Sequence, residues 1–358
     1  MVIAIVEHGG TQALLALFNE KGEIIKQCVL DLPNINRGWS VNDNLPEKTI
    51  EIIYNKLNEL CKNFKINGID ALGYSGPGPV TKEGTLIRAP NVWGNAFNNI
   101  QYLKLLEEKF NLHGKVVLEN DMTAAAAGFM RFAPKKFKER KNFCIITVST
   151  GIGSKCVNNG KIIFGKDGLA GEIGHIPILN NDEIIPGYQC GCGKIHCLEA
   201  GSSGNANAHR CFWEAKQSLK QDTFIESSEI INKILQISTL KGATYSNNLI
   251  EINMLFNEAV HKKDPLSLYV LKKSINPLAR AIAIIETQYN VGKFYLIGGF
   301  ALGMGQIFLD ILKNSLLEIG IVDRNINDIN NLVELGIKMS GLKGIFVIVK
   351  ERIFNCNY

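Results

Sequence analysis

The chain has no apolar run approaching the roughly 18 residues that a membrane-spanning helix needs, so no membrane span is expected. Its N-terminus lacks a basic segment leading into an apolar one. It starts directly on Val2-Ile3-Ala4-Ile5-Val6, which reads as a strand, and no signal peptide is expected. Charge of one sign is also lacking. Lys and Arg number 39 against 34 Asp and Glu, and the net +5 is spread along the chain, which argues against a nucleic-acid partner. The densest basic run, Lys135-Lys136-Phe137-Lys138-Glu139-Arg140-Lys141, reads as a solvated loop between a helix and a strand. No low-complexity linker is present. The nine cysteines show no regular pairing, which disfavours a disulfide framework and points to a reducing compartment, hence a cytoplasmic location. What remains is an ordinary globular composition, 46% hydrophobic and 20% charged, in a chain of 358 residues long enough for two domains.

Three of those cysteines stand close together in Cys190-Gly191-Cys192-Gly193-Lys194-Ile195-His196-Cys197-Leu198-Glu199, where two glycines let the backbone wrap tightly around one point. His175 lies fifteen residues before Cys190, in Gly171-Glu172-Ile173-Gly174-His175. Three thiolates and one imidazole make a closed tetrahedral zinc site of the structural kind, with no position left for water. The expected ligands are His175, Cys190, Cys192 and Cys197, with His196 as a competing imidazole. A chance cluster of buried cysteines is the plain alternative. Glu172 and Glu199 border the ligands, so a bound Zn2+ would pin two carboxylates without reacting itself.

A weak internal repeat organises the rest. Strands are expected at 3–6, 13–18 and 24–30, linked by a glycine turn at Gly9-Gly10-Thr11 and a hairpin turn at Asn19-Glu20-Lys21-Gly22. The pattern recurs at 143–148, with the turn Thr150-Gly151-Ile152-Gly153, a short strand, the turn Asn158-Asn159-Gly160, and a strand at 161–164. Two copies suggest two similar lobes facing each other across a cleft; two unrelated hairpins would give the same pattern. Helices are expected at 47–64, 121–132 and 264–289, the last with a break or kink at Pro277. A buried strand at 294–297 ends at Gly298-Gly299. The stretch 224–241 gives weak signals and is left unplaced.

Each glycine turn follows an apolar strand, as phosphate cradles require, because glycine lets backbone N–H groups approach oxygens closely. Taken singly, each is equally well an ordinary tight turn. Asp121, delivered by a strand at 115–118 to the start of an alanine-rich helix, is a candidate general base. An N-cap aspartate is the competing reading.

Together these motifs resemble those of the ROK family of sugar kinases and sugar-responsive repressors, in the actin-like ATPase superfamily. That family's G-E-x-G-H and C-x-C-G-x-x-G-C-L-E read here as GEIGH and CGCGKIHCLE, with His196 in place of a glycine. The resemblance covers most of the chain from Ile3 to the Gly298-Gly299 region; from about Asn331 the match is poor. It implies a two-lobed α/β fold of the duplicated, ribonuclease H-like kind, divided into 1–118 and 119–358, with the extreme C-terminus packing back on the first lobe. It implies ATP-dependent phosphorylation of a sugar or sugar-like hydroxyl, with catalytic Mg2+ and with Asp121 as base. The implied nucleotide-binding residues are Glu7, Gly9, Gly10 and Thr11; Thr150, Gly151 and Gly153; and Gly298 with Gly299. The implied substrate-binding residues are Gly76, Asn91, Asn120, Glu172, His175 and Glu199. A homodimer or homotetramer is expected. Repressor members carry an N-terminal DNA-reading segment for which this sequence shows no room, so nucleic acid is not an expected partner. Departures stand at Glu7 for Asp, Gln12 for Lys, Ser149 and Phe300 for Gly, Thr123 for Asn, and at a displaced Trp93. Of these, Glu7, Gln12, Ser149 and Phe300 keep a non-catalytic sugar sensor as the alternative function.

Overall fold

The computed structural model describes residues 1–10, 12–35, 38–221, 228–240, 249–321, 323–337 and 341–356. Among the described residues there are twelve strands, interspersed with helices. The first group is β1 (Val2–His8), β2 (Gln12–Asn19), β3 (Ile24–Asp31), β4 (Ala71–Gly76), the short pair β5 (Leu86–Arg88) and β6 (Asn98–Ile100), and β7 (Val116–Asn120). The second is β8 (Phe143–Val148), β9 (Ile152–Asn158), β10 (Lys161–Ile162), β11 (Phe294–Ile297) and β12 (Val333–Leu335).

Two five-stranded sheets result, ordered β3-β2-β1-β4-β7 and β10-β9-β8-β11-β12. In each, a meander supplies three strands and two parallel strands extend the other side, so the duplicated hairpin pattern is a duplicated sheet topology. The turn chemistry explains the hairpins. Asn159 and Gly160 both take positive φ, 49° and 72°, as a tight hairpin turn requires. β4 and β11 are buried along their whole length, as expected of parallel strands covered on both faces.

By packing, the chain divides into two units. Unit 1 comprises Met1–Lys141, Val157–Gly171 and Met339–Tyr358; unit 2 comprises Asn142–Cys156 and Glu172–Lys338. Unit 1 therefore runs past Leu118 and takes in the C-terminal helix Gly341–Phe354. One face of its sheet carries the helices Leu45–Asn63 and Tyr102–Phe110; the other carries Asp121–Phe132 and Gly341–Phe354. The last two helices lie very close, because Ala124–Ala127 and Gly344 present almost no side chain. A Cβ on Gly344 would fall 1.8 Å from the Ala124 carbonyl oxygen. Arg352 pairs with the buried Glu119, and Arg131 with Glu351 at 3.0 Å. Gly344→Ala is accordingly expected to destabilise the protein by about 1–3 kcal/mol through overpacking, read as a lower thermal midpoint. An unchanged midpoint would show that the two helices can separate freely.

In unit 2 the sheet packs against the helices Gly204–Gln221, Leu249–His261, Pro265–Tyr289 and Gln306–Ile319. Three sequence expectations change in the second half of the chain. The 25-residue helix begins at Pro265 because the Asp264 side chain caps it, accepting from Ser267 N–H at 3.0 Å, and it continues without a break through Pro277. The strand expected at 161–164 stops at Ile162, because Phe164 turns away to close a loop through Ala170 N–H at 3.0 Å. Within the unplaced stretch, Ile230–Leu240 is a helix, while 224–227 and 241 lie outside the described residues. Among the described residues no helix is long and apolar enough to cross a membrane.

Candidate active site and metal centre

In unit 1, β1, β4 and β7 run parallel and end together. Glu7 pairs with Ser75 and Ser75 with Glu119, one residue before Gly76 pairs with Asn120. Ligands of open α/β sheets bind beyond such carboxyl ends. There the Asn120 side chain takes the helix N-cap. Its Oδ1 accepts from Met122 N–H at 2.8 Å, and its amide donates to Gly78 O at 2.9 Å. Asp121 is thus the first helical residue, exposed at the sheet edge, with Oδ1 also 2.8 Å from Met122 N. The Asn120 bond draws in the loop after Gly76, where Gly78 takes φ 100° and a Cβ would meet the Arg88 carbonyl oxygen at 2.0 Å. Gly76 itself lies against the Tyr74 ring, leaving no room for a larger residue without a shift.

At the end of β1, Gly9 N–H donates to Gln12 O at 2.8 Å, and the buried Asn34 amide holds Gly10 O at 2.5 Å. Gln12, where lysine was expected, donates to Asp31. The extra methylene of Glu7 brings its Oε2 within 3.2 Å of Leu342 N–H, at the start of the C-terminal helix. Thr11 and the Asn91 side chain lie outside the described residues; the Asn91 backbone belongs to the short helix Pro90–Trp93.

Sequence reasoning missed His8. It is 2% exposed, and its Nδ1 is hydrogen-bonded to the Tyr74 hydroxyl, which also accepts from Tyr102 at 3.2 Å. Trp93 packs on the His8 ring and donates to Thr49 at 3.2 Å, so it is a core residue rather than a pocket wall. Burial pushes the His8 imidazole down to about 3, so it stays neutral in the fold. The unfolded chain, with the ordinary value of 6.5, binds the extra proton first. Stability is therefore expected to fall as pH drops from 6.5 toward about 3, read from denaturant midpoints, and to fall less steeply in His8→Leu. An identical pH profile in the variant would contradict this.

In unit 2, the carboxyl ends of the parallel strands β8 and β11 carry the other two glycine turns. Ser149 N–H donates to Gly151 O at 2.9 Å, and Ser149 O accepts from Gly204 N–H at 2.7 Å. Gly298 has φ 92°, and a Cβ there would lie 2.5 Å from Val148 O, so only glycine fits beside β8. Thr150 and Gly299 are exposed, and both line a cavity of about 800 Å³ with Phe300, Asn205, Met254 and Asn257. That volume lies within the range of small-molecule sites. Gly153 sits just inside β9. The Leu249–His261 wall carries no motif, and no sequence signal pointed to it.

The metal-spaced residues come together in the same unit. One donor atom each from His175, Cys190, Cys192 and Cys197 lies within 4.8 Å of all the others. Cys192 and Cys197 sulfurs are 3.5 Å apart, and Cys190 Sγ is 3.3 Å from His175 Nδ1. A tetrahedral zinc with bonds of about 2.3 Å to sulfur needs sulfurs roughly 3.8 Å apart, so the donor set and its spacing fit. Burial first, then the Glu199 carboxylate, pushes the Cys190 thiol up; burial pushes Cys197 up to about 11. Thiolates at neutral pH there need a cation. His196 turns away, its Nδ1 3.1 Å from Leu179 O.

Two carboxylates flank the cluster differently. Glu172 lies 3.9 Å from His175 Nε2, the ring nitrogen facing away from Cys190. Glu199 accepts from Ile152 N–H at 3.0 Å through one oxygen and from Cys190 Sγ at 3.3 Å through the other. A Cβ on Gly151 would meet Glu199 at 2.6 Å. Glu199, two residues after the metal-spaced Cys197, thereby ties the glycine turn to the segment that carries the cluster. The structure thus gathers Glu7, Gly9, Gly10, Gly76, Asn120 and Asp121 in unit 1. It gathers the remaining described site residues in unit 2.

Two five-stranded sheets of the same strand order, each with its functional turns at the carboxyl ends of parallel strands, make this a duplicated protein of the actin-like ATPase class. The sequence model of the ROK family matches residues 3–351, and the chain belongs to that family. The match continues well beyond Asn331, where the motifs stop; the C-terminal helix contributes by packing rather than by signature residues. The chain is 29% identical over 250 residues to a C(7)-cyclitol 7-kinase of Streptomyces hygroscopicus subsp. jinggangensis, covering 70% of this chain and 64% of that one. It is 26% identical over 352 residues to a glucokinase of Thermotoga maritima, covering 97% of each. A crystal structure of a ROK family glucokinase from Streptomyces griseus in complex with glucose and AMPPNP superposes with a TM-score of 0.67 at 21% identity. That alignment covers 98% of this chain and 100% of that one.

Proposed function

We propose that this protein is an ATP-dependent kinase acting on a hydroxyl of a sugar or sugar-like polyol: a hexose, an N-acyl or amino hexose, or a cyclitol. The observation that carries the reading is the placement of Asp121. Asn120 supplies the N-cap, and Asp121, although its Oδ1 shares the Met122 N–H, presents an exposed carboxylate at the joint edge of β1, β4 and β7. The acceptor hydroxyl donates to this carboxylate, and its oxygen attacks the γ-phosphorus as the bond to the bridging oxygen breaks and ADP departs. The proton ends on Asp121. Asn120 positions the base and the loop after Gly76. The turns at Ser149–Gly151 and Gly298–Gly299 offer backbone N–H groups to phosphates. Mg2+ bound with the nucleotide would neutralise phosphate charge, and Glu7 keeps a carboxylate at the β1 edge beside Gly9 and Gly10. His175, Cys190, Cys192 and Cys197 would hold a zinc ion, which would order the loop carrying Glu172 and Glu199 without taking part in transfer.

The proposed acceptor residues Asn91, Asn120, Asp121, Glu172, His175 and Glu199 include three carboxylates and neither Arg nor Lys, so neutral or amino acceptors fit better than phosphorylated or acidic ones. A coupled-ADP screen of hexoses, N-acyl hexosamines, amino sugars and cyclitols tests the reading. Turnover with at least one of them is expected. Sugar binding without turnover would favour a sensor, and turnover of sugar phosphates or uronic acids alone would show that the acceptor residues are misassigned.

A further inference from the structure

Phe300 stands where the family pattern has a third glycine, and its side chain faces the large cavity of unit 2. Its ring lies parallel to Phe256, centroids 6.2 Å apart at 7°, and edge-on to Phe308 at 6.3 Å. Gly204 makes room for it, since a Cβ at that position would come within 3.2 Å of Phe300 Cδ2. The wall opposite is anchored: His261 Nε2 bonds Gly303 O at 2.9 Å, and a Cβ on Gly303 would lie 3.0 Å from the Asn257 amide. Along that wall Met254 is 69% exposed, a large apolar side chain at the cavity with little protein over it. Beside it, Asn253 Oδ1 is shielded from solvent and has no hydrogen-bond partner among the described residues.

We propose that Phe300 is the base-stacking surface for the phosphoryl donor, with Met254 as its apolar counterpart, and that the pair selects a nucleoside triphosphate over a donor lacking a base. The inference rests on the kinase reading, but it concerns the donor and not the acceptor. A fixed ring braced by two further rings offers a flat apolar face at no ordering cost, and every nucleobase has a matching π-face. The amide side chains of Asn253 and Asn257 on the cavity wall offer polar contacts to a base edge. A bare phosphate chain gains from neither and would be held only by the glycine turns.

Calorimetric titration of the full chain with MgATP, and with inorganic tripolyphosphate as the base-free probe, tests this. Wild type is expected to bind ATP at least about tenfold more tightly than tripolyphosphate, in keeping with the usual worth of base–aromatic stacking. Phe300→Leu should lose about tenfold in ATP affinity and keep its tripolyphosphate affinity, whereas Phe300→Tyr should keep both. Met254→Ala changes an exposed side chain, so folding is not at stake, and it should weaken ATP severalfold with tripolyphosphate unchanged. Equal wild-type affinity for the two probes, unaltered ATP binding in Phe300→Leu and Met254→Ala, or parallel loss of both probes would overturn the proposal. Sugar-dependent ADP release separates the two readings. Turnover that ignores Phe300 keeps the kinase and removes the stacking surface. ATP binding through Phe300 with no transfer to any sugar does the reverse.

Discussion

Asp121→Asn lowers sugar-dependent ADP release by at least about a hundredfold, the usual worth of a general base, while nucleotide affinity persists. The substitution is clean for structural reasons. Asparagine keeps an Oδ1 for the Met122 N–H, and the N-cap bond from Asn120 is untouched, so the helix Asp121–Phe132 has no reason to fray. What is lost is the proton acceptor. An unchanged thermal midpoint together with the collapsed rate would separate chemistry from folding. Near-normal turnover would mean that the proton leaves by another route and that Asp121 is only a first-turn acid complementing the helix dipole.

Cys192→Ser releases the metal and lowers the thermal midpoint by roughly 10 °C, since a structural zinc contributes its binding energy to folding and a chain of this size loses a few degrees per kcal/mol. Purified wild type should carry about one zinc per chain by elemental analysis, and a strong chelator should reproduce the loss. The effect should also reach the nucleotide. Glu199 holds Ile152 N–H with one oxygen and follows the ligand Cys197 by two residues, so a slackened cluster frees the turn at Gly151. A metal-free protein that melts like the wild type would show that the four residues are merely buried together.

Much of this was legible because it was local. Glycine with positive φ, asparagine-glycine hairpins and thiols spaced to reach one ion each act within a few residues, so their consequences can be read without knowing the fold. The two meanders, the alanine-rich helix and the four metal-spaced residues were all of this kind. The buried aromatic network around His8 was not, because a histidine next to a glycine turn reads as polar and exposed until Tyr74, Tyr102 and Trp93 close over it. A break or kink was expected at Pro277 on local grounds; the helix Pro265–Tyr289 is unbroken there, packed along the second core.

The residue types at the candidate site were determined by the sequence alone: a carboxylate before an alanine helix, three glycine turns, and three cysteines with a histidine. Their assembly was decided by tertiary structure. Parallel pairing of β1, β4 and β7 brings Glu7, Gly76 and Asn120 to one edge across more than a hundred residues of chain. Gly344 settles against Ala124 and carries the C-terminal helix onto the first sheet. Phe300, a departure from the family's glycine pattern when read in sequence, becomes a cavity wall because Phe256, Phe308 and Gly204 converge on it from other helices. Local propensity extends a few residues along the chain, whereas close packing depends on which surfaces meet, and only the folded topology supplies that.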